Sequence, residues 1–187
     1  TLARRAGHVE VILVPTLVQG AAEPAEVVRA ISIANQDSGA DLIVLCTNTM
    51  HKVAARIEAA VSVPFVHLGD TTAEAVKAAG ITRVGLLGTI FTMEQEFYVD
   101  RLTAHGLDVV LPRPDDRQRI SQIIYDELCL GVVRDESRVY YLDVIGRLQA
   151  DGAEGVILGC TEIALLADQP HVATPVFQTT LLHVQAA

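Results

Sequence analysis

The sequence is short of the features that mark several protein classes. It has no tryptophan and aromatics make up only 4% of it, so its core has to be built from Val, Ile, Leu and Ala. Fourteen Lys and Arg stand against 23 Asp and Glu. The net charge of −9 argues against nucleic acid or an anionic membrane as partner, since both are held through basic patches. No stretch approaches the roughly 18 consecutive apolar residues of a membrane-spanning helix. The opening Thr1-Leu-Ala-Arg-Arg-Ala-Gly-His8 has no apolar signal core. Three cysteines without a CxxC pair give no disulfide framework, which fits a reducing cytoplasm. The six histidines lack metal-ligand spacing, so no metal site is expected. Gly85–Gly88 falls short of GxGxxG and no GxxxxGK[ST] occurs, which leaves little support for dinucleotide or triphosphate binding.

What the chain does have is a repeat. Gly39-Ala-Asp-Leu-Ile-Val-Leu-Cys-Thr-Asn-Thr49 aligns without a gap onto Gly152-Ala-Glu-Gly-Val-Ile-Leu-Gly-Cys-Thr-Glu162. An X-Pro strand follows each copy, at Val63-Pro64-Phe65-Val66 and at Thr174-Pro175-Val176-Phe177. Internal repetition of this kind fixes the architecture. The alignment puts Thr47 opposite Cys160. Equivalent loops of a duplicated fold can face each other across one cleft. A proton carrier on each wall suits one chemistry: removing a proton from one face of a carbon and returning it to the other.

Strands are expected at Val9–Leu17, Leu42–Cys46, Pro64–Leu68, Arg83–Leu87, Leu107–Leu111, Gly155–Gly159 and Pro175–Phe177. Most are continuous apolar runs, the mark of strands buried on both faces of a parallel sheet. Amphipathic helical faces lie between them: Met50, Val53 and Ile57; then Ile120, Ile123, Ile124 and Leu128; then Val139, Leu142 and Ile145. Thr71-Thr-Ala-Glu74 and Thr92-Met-Glu-Gln95 read as capping boxes that open helices. The fold class is therefore α/β, with two pseudo-symmetric parallel-sheet domains and an active site in the cleft between them. Residues 1–72 with about 174–187 are expected to form the first domain, and 73–173 the second. The first half lacks the strand, loop and helix that open the second, so a longer protein shortened at its N-terminus is expected.

Ligands of open α/β sheets sit beyond the carboxyl ends of strands, where Thr47 and Cys160 both fall. A helix N-terminus after each would lower a thiol pKa and cradle a carboxylate. Asn48, Thr49, Thr161 and Glu162 add hydrogen-bonding groups to the same loops. Thr47 and Asn48 also read simply as helix caps. Cys46, opposite Gly159, reads as a strand-end core residue, and Cys129 as a structural one. His51, one turn beyond Thr47, is placed to orient that loop. Lys52, Arg113, Arg117 and Arg119 are candidate partners for an acidic substrate.

Cys46-Thr-Asn-Thr-Met-His51, Leu158-Gly-Cys-Thr-Glu-Ile163, Gly85-Leu-Leu-Gly-Thr89 and Phe177-Gln-Thr179 together resemble motifs of the aspartate/glutamate racemase family. The resemblance runs through essentially the whole chain. It implies two similar α/β domains, a homodimer, and a two-base reaction that needs neither pyridoxal phosphate nor a metal. Carried over residue by residue, Cys160 is one base. Thr47 holds the position of the other, where many members have Cys, so the chain resembles a Thr/Cys subgroup. The resemblance further implies that Asn48, Thr49, Thr161 and Thr89 bind the carboxylates of aspartate or glutamate and that Glu162 binds the ammonium. The unequal pair leads us to expect proton removal by Cys160 from the L form, with the reverse direction weak. Two features depart from the family pattern: its opening Gly-Gly-Met/Leu loop is absent, and Gln178 stands where Asp is frequent. Two other readings stay open. One is a related isomerase or decarboxylase that needs Cys160 but not Thr47, and the other is a non-catalytic dicarboxylate-binding protein.

Overall fold

The structure is a computed structural model that describes Leu2–Arg4, Gly7–Val9, Val28 and residues 41–187. Strands β1 (Leu2–Arg4) and β2 (Gly7–Val9) form an antiparallel pair that the sequence pattern did not announce. The strand expected over Val9–Leu17 lies, beyond Val9, outside the described residues. The remaining strands fall inside or within a residue of the expected runs: β3 (Ile43–Val44), β4 (Phe65–Val66), β5 (Arg83–Gly88), β6 (Asp108–Val110), β7 (Gly155–Gly159) and β8 (Val176–Gln178). From Ala54 onward the α-helices are α1 (Ala54–Ala60), α2 (Leu68–Ala78), α3 (Ile90–Glu94), α4 (Glu96–Ala104), α5 (Pro114–Asp126), α6 (Asp135–Ala150) and α7 (Thr179–Ala186). None among the described residues is long and apolar enough to cross a membrane.

Four strands form one parallel sheet in the order β6-β5-β7-β8. All of β7, and all of β5 beyond Arg83, is buried, which is why these strands read as unbroken apolar runs. Alternate side chains enter separate cores. Val84, Leu86, Ile157 and Phe177 pack with α2 and α4, whereas Leu87, Val156 and Leu158 pack with α5 and α6. The sheet is thus the middle of three layers. The chain leaves β5 for β6 by way of α4, then returns past β5 to β7 by way of α5 and α6. That reversal makes a switch point between the carboxyl ends of β5 and β7, the place where such sheets bind ligands.

A smaller parallel pair, β3 and β4, has its own core of Leu45, Val53 and Ile57. Its register carries the repeat into three dimensions. Ile43 pairs with Phe65 and Val44 with Val66; Val156 pairs with Val176 and Ile157 with Phe177. These are the residues the sequence alignment makes equivalent. The tail expected to return to the first half divides its contacts instead. β8 joins the larger sheet beside β7, while α7 lies along α2 and its His183 Nε2 donates to the Val66 carbonyl at 2.7 Å.

Local chemistry moves three helix features from their expected places. α2 starts at Leu68, not at Thr71, because the His67 ring accepts a bond from Gly69 N–H and caps it. The Thr71 and Thr72 hydroxyls turn back to the Leu68 carbonyl. Thr89, not Thr92, caps α3, through a bond from Thr92 N–H to its hydroxyl. On α6 the buried stripe is Tyr141, Val144, Ile145 and Leu148; Val139 faces solvent and Leu142 is half-buried.

Candidate active site

The site is assembled where β3, β5, β7 and β8 end. β7 stops at Gly159, whose packing leaves no space: a Cβ there would come within 2.9 Å of the Leu87 carbonyl on β5. Cys160 follows in extended conformation and precedes a 3₁₀ turn over Thr161–Leu165. Its Sγ donates to Glu162 Oε2 at 2.9 Å, and Thr161 Oγ1 donates to the same oxygen at 2.5 Å. The expected depression of the thiol pKa is reversed. Burial pushes the Cys160 thiol up, and the hydrogen bond and charge of Glu162 push it further. A single short 3₁₀ turn provides little dipole to oppose them. Burial also raises the Glu162 carboxyl, but the bonds from Cys160 and Thr161 outweigh it and leave Glu162 below the ordinary range. The resting site therefore holds a neutral thiol beside a carboxylate.

The loop after β3 reaches across to the larger sheet. Asn48 Nδ2 donates to Thr179 Oγ1 at 3.1 Å, just beyond β8, and Thr179 Oγ1 donates to the Leu158 carbonyl on β7 at 3.0 Å. On the other side Thr49 and Thr89 share a hydrogen bond of 3.4 Å, just beyond β5. Because β7 lies between β5 and β8, the Thr47–Thr49 loop straddles the end of the strand that carries Cys160. The amide orientation of Asn48 follows from the network. The one Thr179 hydroxyl proton goes to Leu158, so Thr179 must accept, and only Nδ2 can donate. That leaves Asn48 Oδ1 buried with no partner among the described residues.

A model of the Asp/Glu/Hydantoin racemase family matches residues 13–187. The chain belongs to the Asp/Glu/hydantoin racemase family. A Yersinia pestis protein solved as a candidate Asp/Glu racemase is 47% identical, with a TM-score of 0.83 over 87% of this chain and 73% of that one. An aspartate racemase homologue from Pyrococcus horikoshii OT3 is 33% identical, with a TM-score of 0.78 over 87% of this chain and 71% of that one. An uncharacterized protein of Pectobacterium carotovorum subsp. carotovorum, from the pnlA 3' region, is 35% identical over 106 residues, 57% of this chain and 69% of that protein. Family and relatives together support an enzyme of the racemase type on a two-domain α/β fold.

In this racemase-family site, His51 holds the Thr47 loop from behind. Its Nε2 accepts from Leu68 N–H at 3.1 Å, so the proton sits on Nδ1, which donates to the Thr47 carbonyl at 2.7 Å. The ring is buried within 4.7 Å (centroid to centroid) of His67 and 5.9 Å of His183. Burial, reinforced by neighbouring imidazoles, pulls His51 down to about 3; burial and Arg101 pull His67 down to about 4. These imidazoles are neutral structural ties, and among the described residues no three His, Cys, Asp or Glu are arranged to hold a metal ion.

Two expectations about thiols change. Cys46 lies beyond the end of β3 and is exposed, not part of the core, and Cys129 is exposed on a 3₁₀ turn whose charge environment includes Glu162. Sequence reading missed Tyr125, whose phenol is pushed up by burial and by its nearness to Cys160, Cys129 and Glu162. Its helix reads as an ordinary amphipathic one, so nothing in the pattern singled it out. Thr179 was visible as the end of the Phe177-Gln-Thr179 motif but had no role assigned. Gln178 is half-buried at the end of β8. Lys52 and Arg113 are exposed, and Arg117 pairs with Glu94. A surface depression of about 400 Å³ lies at the amino end of β6, at the opposite end of the sheet from Thr89 and Cys160.

Proposed function

We propose that the chain is a pyridoxal-phosphate-independent amino-acid racemase that interconverts L- and D-aspartate or glutamate by exchanging the α-proton between Cys160 and Thr47. The observation that carries this reading is the hydrogen-bonded bridge just described: Asn48–Thr179 on one side and Thr49–Thr89 on the other bring the Thr47 loop over the end of β7. Cys160 acts on one face of the α-carbon and the Thr47 hydroxyl on the other. Oriented N–H and hydroxyl groups of Thr49, Thr89 and Thr161 stabilise the carboxylates and the charge that builds up as the proton leaves. Asn48 holds the Thr47 loop in place through its Nδ2 bond to Thr179. The similarity to a candidate Asp/Glu racemase and to an aspartate racemase homologue supports an acidic amino acid as substrate. A working thiol fits a reducing cytoplasm, and a homodimer completes the proposal.

α-Proton exchange into deuterated water, followed by NMR with L- and D-aspartate and L- and D-glutamate, tests this. Exchange that disappears in Cys160→Ala is the expected result and names the substrate. A folded chain that exchanges none of the four sinks the reading. Exchange that survives Thr47→Ala with no interconversion of enantiomers would favour a one-thiol isomerase, because a single Cys then does all the proton work.

A further inference from the structure

The β3–β4 unit has a slight core. Among the described residues it consists of Leu45, Val53 and Ile57, so where the Thr47 wall stands relative to the large sheet depends on ties between the two. Two of those ties, Asn48–Thr179 and Thr49–Thr89, belong to the site itself. A third runs behind it. His51 sits in the 3₁₀ turn Thr49–Val53, accepts from Leu68 N–H and donates to the Thr47 carbonyl, so the place of Thr47 is referred to the first residue of α2. That helix is held in turn by Arg101 on α4. Its guanidinium grips Asp70, in the first turn of α2, with two prongs: Nε to Oδ1 at 2.5 Å and Nη2 to Oδ2 at 2.6 Å. His105 Nε2 lies 2.8 Å from the same Oδ1. Arg101 Nη2 also comes within 4.0 Å of Glu58 on α1, in the small unit. The Arg101 stem fills the space beside Gly69, where a Cβ would stand 3.2 Å from Arg101 Cγ and 3.1 Å from the His67 ring. His67 caps α2 and meets His51 edge-on. A two-pronged, partly buried pair of this kind fixes direction as well as distance.

We propose that Asp70 and Arg101 are positioning residues for the reaction: through α2 and His51 they set how far Thr47 stands from the substrate, while Cys160 stays where the large sheet holds it. The proposal rests on the racemase reading above. The route is contiguous. Arg101 holds Asp70, Asp70 and Leu68 share one helical turn, Leu68 N–H meets His51 Nε2, and His51 Nδ1–H meets the Thr47 carbonyl. The second loop is supported differently. The position that the repeat makes equivalent to His51 is Ala164, and β7 is paired on both sides. A slackened clasp should therefore be felt on one face of the α-carbon.

The test measures α-proton exchange in deuterated water from L- and D-aspartate and L- and D-glutamate, for the unmodified chain, Arg101→Leu, Asp70→Asn and the double variant. On the racemase reading Cys160 takes the proton of the L form and Thr47 that of the D form, so the L/D ratio reports the two walls separately. Either single variant should raise the ratio about tenfold by slowing D exchange, since a misplacement of about 1 Å costs about 10²-fold. The double variant should do no more than either single one, because all three cut the same link. Loosened packing in general would slow both forms alike. An unmoved ratio therefore overturns the proposal, and so do effects that add in the double variant. Arg101→Lys keeps the charge without the fork, should raise the ratio by less, and decides the matter if Arg101→Leu does not fold. Should the unmodified chain exchange nothing, the racemase reading falls, and amide hydrogen exchange read by mass spectrometry judges the clasp alone. Residues 47–51 should then lose protection about tenfold in the Arg101 variant while residues 160–162 keep theirs. Equal change in both segments, or none in the first, removes it.

Discussion

The loops after β3 and β7 occupy matched positions of the repeat and are held in opposite ways. The first is tied outward. Asn48 bonds beyond β8, Thr49 beyond β5, and the Thr47 carbonyl bonds to His51. The second is tied inward, with Cys160, Thr161 and Glu162 bonded to one another. The difference separates two tasks. The first loop joins the small β3–β4 unit to the large sheet and leaves the Thr47 side chain uncommitted: its Oγ1 has no partner among the described residues. The second loop sits on a strand already paired on both sides and keeps its hydrogen bonds within itself. A duplicated scaffold has thus become a hydroxyl on one wall and a thiol–carboxylate pair on the other.

Erasing the difference on the thiol side should have the largest effect. Cys160→Thr places a hydroxyl on both walls and should lower α-proton exchange by about 10³-fold, within the usual span for a positioned acid–base group. Steady-state exchange by NMR reads it. The converse change, Thr47→Cys, places a thiol on both walls. The L/D exchange ratio should then move toward one, and a ratio that stays put would show that the inequality originates elsewhere than at Thr47. Asn48→Leu removes the tie to Thr179 while keeping the bulk, and α-proton exchange read by NMR should fall about tenfold as the Thr47 loop loosens.

Acid provides the mildest probe, because the buried histidine ties hold the first loop and the elements beside it and none of them touches the second loop. His51 and His67 are held near 3 and 4, against 6.5 for an unfolded histidine. Between those values the unfolded chain binds more protons than the folded one, so stability falls as pH drops from about 6.5 toward 4. Asp70 works in a lower window. Burial raises it, but the bonds from Arg101 and His105 hold it at about 2 against the usual 3.8. Its contribution is complete above about pH 4 and is lost as pH falls toward 2. The thermal midpoint should decline through both windows. His67→Asn keeps an acceptor at the start of α2 without a titrating ring and should flatten the upper one. Hydrogen exchange should show the Thr47–Thr49 amides losing protection at higher pH than those of Cys160–Glu162.

Much of the fold was legible because its strands are buried on both faces. Gly155–Gly159 and Arg83–Leu87 advertise themselves as largely apolar runs, and the strand pairs of the two repeats prove to match at aligned positions. What escaped depended on contacts between segments distant in sequence. No local pattern says that the His67 ring caps a helix, that Val139 turns outward, or that Cys46 overshoots its strand into solvent. At the site, the residue types were readable from the motif but their electrical state was not. The rise in the Cys160 pKa comes from burial and from Glu162, and burial is a property of the assembled layers.

Gly159 has a consequence for how such a site can vary. A methyl group there would press on the Leu87 carbonyl and force β5 and β7 apart. Thr89 and Cys160 leave those two strands at matched positions, Gly88 being paired with Gly159. The gauge of the site is thus written in the backbone, by an atom that is missing. The lining side chains can change from one relative to the next, and with them the molecule accepted, while the distance across which groups cooperate stays as the strands set it.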